Sequence, residues 1–430
     1  MGAALFLFYR RFFVPVVTFI LFVLKPFIRG KLQIISEERR KNHWIYLKNS
    51  MTNLVAPIWI HAASGEIEYA RPLVREFKML FPKIPIVVTY SSPSAKKILL
   101  KITEVDAWGP SPWDSVKACQ NFLDRVQPRA VYFARTDVWP EISYQLKLRK
   151  IPSTLFSATF AKNSSRLKGL TRVLTIWTLK QLTSVMVVSS DDQTQLQNCG
   201  FENSVVAGDT RYDQVFYRLA HPQNVNENSK PLADEKIFVA GSTWPEDEKV
   251  LFSWFAKSRL DNSVRLLLAP HEISSARLIK IKEFLKSKNI DSQLYSENKP
   301  WRSAVLIVDQ IGILAELYTW GTAAFVGGSF RKQVHSVMEP LACGLPVSVG
   351  PFYQNNREAL EFQNILLPSK GSQQPLVCSV RSPEDIETFW QAHWSMTPDD
   401  HKALATRVKN RTGATQKIVQ TFSATNSRLE

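Results

Sequence analysis

A chain of 430 residues exceeds a single hydrophobic core of usual size, so two domains of about 200 residues each are expected. With 54 Lys+Arg against 38 Asp+Glu the net charge is +16, which implies an anionic partner: nucleic acid, an acidic membrane surface or a phosphorylated substrate. The four cysteines, Cys119, Cys199, Cys343 and Cys378, match neither CxxC metal spacing nor a dense disulfide framework, and they suit small hydrophobic roles in a reducing compartment.

The chain opens with an apolar run, Ala3 to Phe8, interrupted by Tyr9-Arg10-Arg11. It resumes from Phe12 to Leu24 apart from Thr18, with Lys25, Arg29 and Lys31 following. Spanning a bilayer core takes about 20 apolar residues, and this run is shorter unless the two arginines snorkel. No small-x-small cleavage site follows Leu24. A retained membrane anchor over residues 1–30 is therefore expected, spanning or lying in the interface with its positive flanks on the cytoplasmic side. The core helix of a soluble protein is the alternative.

Short apolar runs alternating with helical spacing then recur in two halves. Val55 to Ile60 reads as a strand, and Glu66 to Leu80 as a helix whose apolar face is Ile67, Ala70, Leu73, Val74 and Phe77. Ile86–Thr89, Ala130–Phe133, Ser153–Phe156, Val185–Val188 and Ser204–Ala207 read as buried parallel strands. The polar stretch from His221 to Pro231 has the composition of a linker. The second half begins with Lys236–Ala240 and continues through Val264–Leu268, Ala304–Val308 and Ala323–Val326. The expected organisation is a domain over 31–215, a linker over 216–235, and a domain over 236–430 whose last helix returns to the first. The class is α/β, with two Rossmann-like domains facing a cleft.

Several strand ends carry chemistry. His61-Ala-Ala-Ser-Gly-Glu66 opens a helix where α/β folds place ligand-contacting groups: Ser64 suits a cap, Gly65 a close approach, and Glu66 either a general base or a complement to the helix dipole. Phe325 to Pro351 reads as strand, glycine turn, basic loop with His335, helix with Glu339 and a second strand. Its turn could hold an anion on the backbone N–H groups of Gly327 and Gly328. Gly241-Ser-Thr243 repeats the glycine-hydroxyl turn, with Glu246 and Glu248 expected to cap the helix after it. Ala269-Pro-His271 ends another strand, Gly312 marks a close-packed helix start before Glu316, and Arg135-Thr-Asp-Val-Trp-Pro140 reads first as structural. HExxH spacing, DxD, a Walker A motif and GxGxxG do not occur, which argues against a metal site, an ATPase or a dinucleotide oxidoreductase.

In order along the chain, Trp59 to Glu66, Val138-Trp-Pro140, Gly208 to Asp213, Gly241-Ser-Thr243, Ala269-Pro-His271, Asp309 to Tyr318, and Val326-Gly-Gly-Ser329 through His335 to Glu339-Pro340 resemble the 3-deoxy-D-manno-octulosonic acid (Kdo) transferase family. The resemblance implies a GT-B fold and inverting, metal-independent transfer of Kdo from CMP-Kdo to lipid A precursor at the cytoplasmic face of the inner membrane. No cofactor beyond the donor substrate and no nucleic acid partner are implied. By motif match Glu66 is the general base, with Ser64, Gly65 and Arg135 toward the acceptor. Arg211, Ser242, Thr243, His271, Gly327, Gly328, Ser329, His335 and Glu339 are assigned to the donor, Glu339 toward the ribose. The chain departs from the family where Ser64 meets Gly65 directly, leaving Glu68 as an alternative base. It departs again at Arg135 in place of an acid, Arg211 in place of lysine and Ser336 in place of an amide. Other readings are a different GT-B enzyme or epimerase using a UDP-sugar, and a non-catalytic basic membrane-binding protein.

Overall fold

The computed structural model describes residues 1–24, 27, 29–40, 45–46, 54–232, 234–258, 264–366 and 375–426. Lys25, read above as a positive flank, lies outside them. Two compact units emerge: Met1–Gln214 with the residues from Arg411 on, and Val215–Asn410.

In the first unit the strands are β1 (Ile45–Tyr46), β2 (Ile58–His61), β3 (Ile86–Tyr90), β4 (Ala107–Pro110), β5 (Ala130–Ala134), β6 (Ser153–Ala158), β7 (Ser184–Val187) and β8 (Ser204–Val206). Their spatial order is β1-β4-β3-β2-β5-β6-β7-β8, and the pairings are parallel except for β1 against β4. Alternation along each strand feeds two cores. Ile58 and Ile60 pack with Leu73 and Phe77 of the helix Ile67–Leu80, while Trp59 turns to the other face against Phe122 and Phe133. All five residues of the apolar face read from the sequence are buried. The helix Ala414–Asn426 also belongs to this unit: the Asp213 carboxylate accepts from the N–H groups of Gly413 and Thr415 at 2.6 and 2.8 Å, and Phe422 meets Phe77 edge-on.

The second unit holds β9 (Ile237–Thr243), β10 (Arg265–Pro270), β11 (Ser292–Leu294), β12 (Val305–Ile307), β13 (Ala323–Val326), β14 (Val347–Val349) and β15 (Val377–Ser379). The order is β11-β12-β10-β9-β13-β14-β15, parallel throughout. In both sheets the chain fills one side of an early strand, β2 or β9, and then crosses to the other. That creates switch points at β2/β5 and β9/β13, the crevices where open α/β sheets bind ligands.

The stretch expected to be a linker packs onto the second unit instead. Ser229 is fully buried with its hydroxyl on the Lys299 carbonyl at 2.9 Å, and the Asn226 N–H donates to the Tyr295 hydroxyl at 2.5 Å. Its Asn and Ser side chains serve as local hydrogen-bond partners, which composition alone does not distinguish from solvation. The division between the units falls at Gln214/Val215, inside the helix Thr210–Ala220.

A 22-residue N-terminal helix, Gly2–Val23, is long and apolar enough to cross a membrane by length and composition. It widens to a π turn over Tyr9–Phe13, just before Pro15, which lacks an N–H to donate. Its first turns dock on the first unit. Phe6 stacks on Trp177 at 3.9 Å, the Tyr9 hydroxyl donates to Asp114 at 2.8 Å, and Arg10 pairs with buried Glu141 at 3.0 Å.

Candidate active site

At the β2/β5 switch point, β2 ends in His61, buried beneath the turn that leads to Glu66. The His61 Nε2 lies 2.9 Å from Asp137 and its Nδ1 2.8 Å from the Thr89 hydroxyl. Asp137 also accepts from Ser91 Oγ at 2.9 Å and Trp139 Nε1 at 2.8 Å. Burial alone would raise the Asp137 carboxyl; the hydrogen bonds from His61, Ser91 and Trp139 and the His61 charge overcome it and hold the group well below the usual carboxylate range. A fixed anion therefore stands beside Glu66.

Glu66 occupies the N-cap position of Ile67–Leu80, with its backbone already helical and its carboxylate accepting from the Ala63 N–H at 3.3 Å. Burial raises its pKa and the Asp137 charge adds to that; Arg135, the Ala63 N–H and His61 pull the other way. A carboxylate kept more basic than usual at a strand-end turn is what a general base for a sugar hydroxyl requires. Ser64 does not cap this helix. Its hydroxyl faces that of Ser94 at 2.7 Å, because the helix starts three residues later. Gly65 is exposed with open space where a Cβ would stand, so no protein group approaches it closely. Glu68 pairs with Arg71 at 3.4 Å within its own helix, whereas Glu66 is the acid that Asp137 and Arg135 act on.

Arg135 sits at φ +60 after β5, donating to the Tyr69 hydroxyl and, at 3.0 Å, to Thr159. Arg211, expected on the donor side, belongs to the first unit: Asp209 holds its guanidinium at 3.0 Å, and the cation lies 4.6 Å from the Tyr69 ring centre. Arg135 and Arg211 thus flank one aromatic ring on the same domain as Glu66.

The β9/β13 switch point brings Gly241-Ser-Thr243 against Val326-Gly-Gly-Ser329. A Cβ on Gly327 would stand 2.4 Å from the Ser242 carbonyl oxygen and 2.7 Å from Thr243 Cα, so the two turns touch backbone to backbone. Gly328 has φ +96 and would place a Cβ 2.3 Å from the Gln333 carbonyl. The expectation that these glycine N–H groups are aimed at an anion is corrected here. The Gly327 N–H donates to the Gly241 carbonyl at 2.9 Å and the Gly328 N–H to Asp247 at 2.7 Å. Ser329 is likewise structural, fully buried with its hydroxyl accepting from the Gly350 N–H at 2.6 Å. Thr243 donates to Glu248 at 3.0 Å, and Glu248 in turn pairs with Arg277, so neither Thr243 nor Glu248 plays the part read from the sequence. The acid that holds the backbone is Asp247, between the two glutamates. Ser242, partly exposed at φ +55, keeps the open edge of the turn.

Replacing Gly327 by alanine is expected to lower stability by about 3 kcal/mol, because the crowding atoms are backbone and cannot rotate away. Thermal unfolding measures it; an unchanged Tm would show that the two turns can separate freely.

Above these turns His271, His335 and Trp244 form a stack. The ring centres are 4.7 Å apart for Trp244 and His271 and 4.5 Å apart for His271 and His335, with the Trp244 indole N–H 3.3 Å from His335 Nε2. Arg331 lies 4.5 Å over the Trp244 ring. Burial, and secondarily the neighbouring His271, lower the His335 pKa. The loop lacks the expected amide at Ser336, yet two amides from another segment brace it: Asn355 accepts from the Val334 N–H at 3.3 Å and Asn356 donates to the His335 carbonyl at 2.9 Å. Glu339, in the first turn of Met338–Ala342, meets Arg218 at 3.5 Å, while Arg218 also holds Glu316 at 2.8 Å and the Gly312 carbonyl. Gly312 is required for its φ of +101 rather than for close packing.

Sequence reading missed Asp137, Asp247, Trp244 and Arg218. For Asp247 a signal existed: an acid three residues after Trp244 is the N3 position of a capping box.

Two Rossmann-like sheets, each with a loaded switch point, define the GT-B class, and with its relatives the chain is a glycosyltransferase. The family model described as 3-deoxy-D-manno-octulosonic-acid transferase (kdotransferase) matches residues 31–214, the domain that carries Glu66. The chain is 26% identical over 322 residues to a 3-deoxy-D-manno-octulosonic acid transferase of Aquifex aeolicus, covering 73% of this chain and 82% of the relative. A transferase of the same description from Haemophilus influenzae is 27% identical over 372 residues, covering 81% and 84%. Among solved structures, UDP-GlcNAc 2-epimerase from Neisseria meningitidis bound to UDP-GlcNAc shares the fold with a TM-score of 0.62 at 13% identity, covering 85% of this chain and 99% of that one.

Proposed function

We propose that the protein transfers Kdo from CMP-Kdo to the lipid A precursor at the cytoplasmic face of the inner membrane. The observation that carries this reading is Glu66, an acid made more basic by burial and by the Asp137 anion, in the domain that matches the transferase family. Glu66 takes the proton from a sugar hydroxyl of the acceptor. The freed oxygen bonds the anomeric carbon of Kdo while the bond from that carbon to the CMP phosphate oxygen breaks, and CMP leaves with the electron pair. Attack opposite the leaving group inverts the centre. Arg135 and Arg211 suit the anionic acceptor, consistent with the chain's net charge of +16.

On the donor side Ser242, His271 and His335 are the groups left to meet the charge that builds on the departing phosphate. Trp244 and Arg331 extend that surface. Glu339 accepts from the ribose hydroxyls, oriented by Arg218. Metal-independent transfer is part of the proposal.

Isothermal titration tests the donor assignment. CMP is expected to bind at least about tenfold more tightly than UDP, and Glu339→Ala to weaken CMP by about tenfold, a little over 1 kcal/mol. Equal affinity for CMP and UDP would move the donor to another nucleotide, and an unchanged Kd in Glu339→Ala would remove the ribose role.

A further inference from the structure

We propose that a cavity of the N-terminal domain seats one acyl chain of the lipid acceptor, beside an N-terminal helix that dips into the bilayer from one side. The proposal rests on the reading of Glu66 as the base that meets that acceptor. The cavity has a volume of about 280 Å³ and an apolar lining that includes Tyr9, Trp139, Leu155, Phe160, Leu174 and Leu179. A cleft of this size with mostly apolar walls leaves hydrocarbon surface facing water, and a seated hydrocarbon chain would bury it.

Three observations favour an acyl chain of an anionic membrane lipid over another apolar occupant. The first is continuity with the helix. Tyr9, which lines the cavity, is fixed by its bond to Asp114, so the helix is docked up to that point. None of the residues from Arg10 to Val23 beyond it is buried. Fourteen helical residues reach about 21 Å, short of the roughly 30 Å hydrocarbon core, so the docked helix dips in from one side without crossing it.

The second is charge. From Ile142 to Ser190 the sequence contains no Asp or Glu, but it contains Lys147, Arg149, Lys150, Lys162, Arg166, Lys168, Arg172 and Lys180. Arg166, Lys168 and Arg172 are exposed around the cavity's own helix and turn. Arg166 also lines the cavity, donating to the Thr136 carbonyl at 2.7 Å, which places a guanidinium where an acyl chain gives way to a phosphorylated head.

The third is position. Thr136, Val138, Trp139 and Pro140 line the cavity, and the same loop carries Asp137, which holds His61 and raises Glu66. The Trp139 indole bonds Asp137 at 2.8 Å, so the lipid-facing wall and the acid beside Glu66 form one hydrogen-bonded unit. A chain seated in the cavity would present its head group toward the Glu66 turn.

The test uses full-length protein in phosphatidylcholine–phosphatidylglycerol vesicles carrying a phosphatidylglycerol probe with a diazirine at the acyl terminus. After photolysis, adducts are mapped by peptide mass spectrometry. Adducts are expected on peptides spanning 155–179 as well as on 14–23. Leu174→Trp, which fills the cavity, should lower the former at least about tenfold and spare the latter. Tetraacylated lipid A precursor should displace the probe at least about tenfold better than unlabelled phosphatidylglycerol at equal acyl concentration. Glu66→Gln should leave the adducts unchanged, so a failure of the base assignment would not erase them. Where Leu174→Trp does not fold, Thr175→Phe at the cavity wall gives the same reading. Adducts confined to 14–23, adducts at 155–179 that persist in the filled variants, or equal displacement by both lipids would overturn the proposal.

Discussion

Glu66→Ala is expected to lower the rate of Kdo transfer by a factor of about 10² to 10⁴ while the affinity for CMP holds, because a general base acts on the transition state rather than on donor binding. The pH profile gives a second handle. The base works ionised, and burial followed by the Asp137 charge raises its pKa above the ordinary 4.5, so the acidic limb of kcat/KM should lie above that value. Arg135 is the largest of the causes lowering it, so Arg135→Gln should move the limb to higher pH. Stability should respond with the opposite sense. A carboxyl whose folded pKa is raised contributes its stability below the unfolded value and loses it as pH rises through the folded one, so ionised Glu66 is a burden at neutral pH. Glu66→Gln should therefore raise Tm at pH 7 while abolishing transfer, the signature of an acid kept for chemistry. A purely structural acid would give a lower Tm with activity retained.

The second large effect is expected at Asp247. Its fully buried carboxylate accepts from the N–H groups of Trp244, Gly328 and Phe330 at 2.8, 2.7 and 3.2 Å, tying the β9 turn to the β13 turn. Alanine there leaves three amide donors without this partner, at about 1 to 3 kcal/mol each, so a loss of roughly 4 kcal/mol is expected after partial rehydration. CMP affinity should fall too, because the turns that position Ser242 and His335 are no longer held together. Asp247→Asn keeps one accepting oxygen and should fall between the two. Urea unfolding and titration with CMP measure both effects, and an alanine variant within about 0.5 kcal/mol of wild type would contradict the role assigned to the tie.

The fold was legible because buried parallel strands are short apolar runs, and ten of those read from sequence fall on strands of the two sheets. β4 escaped because Ala-Trp-Gly-Pro carries two strand-breaking residues, and β11 because Ser-Gln-Leu is short and polar at a sheet edge. The turn after β2 was legible as a strand-to-helix junction, and Glu66 lies there at the N-cap of the helix. Asp137 was not, since its role depends on His61, 76 residues away, and on the pairing of β2 with β5. The glycine turns misled for a physical reason. A glycine placed for close approach of protein backbone and one placed for a phosphate leave the same mark in a sequence; at Gly327 and Gly328 the approach is by Ser242, Gln333 and Asp247. Among the three consecutive acids Glu246, Asp247 and Glu248, helical rotation sends each to a different face, and the composition does not say which one meets backbone.

The central claim is transfer of Kdo with Glu66 as base. Its most direct test is to incubate the purified full-length protein with CMP-Kdo and tetraacylated lipid A precursor and weigh the lipid product by mass spectrometry. The account predicts lipid heavier by whole Kdo units, formed at least about 10²-fold more slowly with Glu66→Ala. Unmodified lipid with CMP-Kdo but a product with a UDP-sugar, or an undiminished Kdo product from Glu66→Ala, would contradict it.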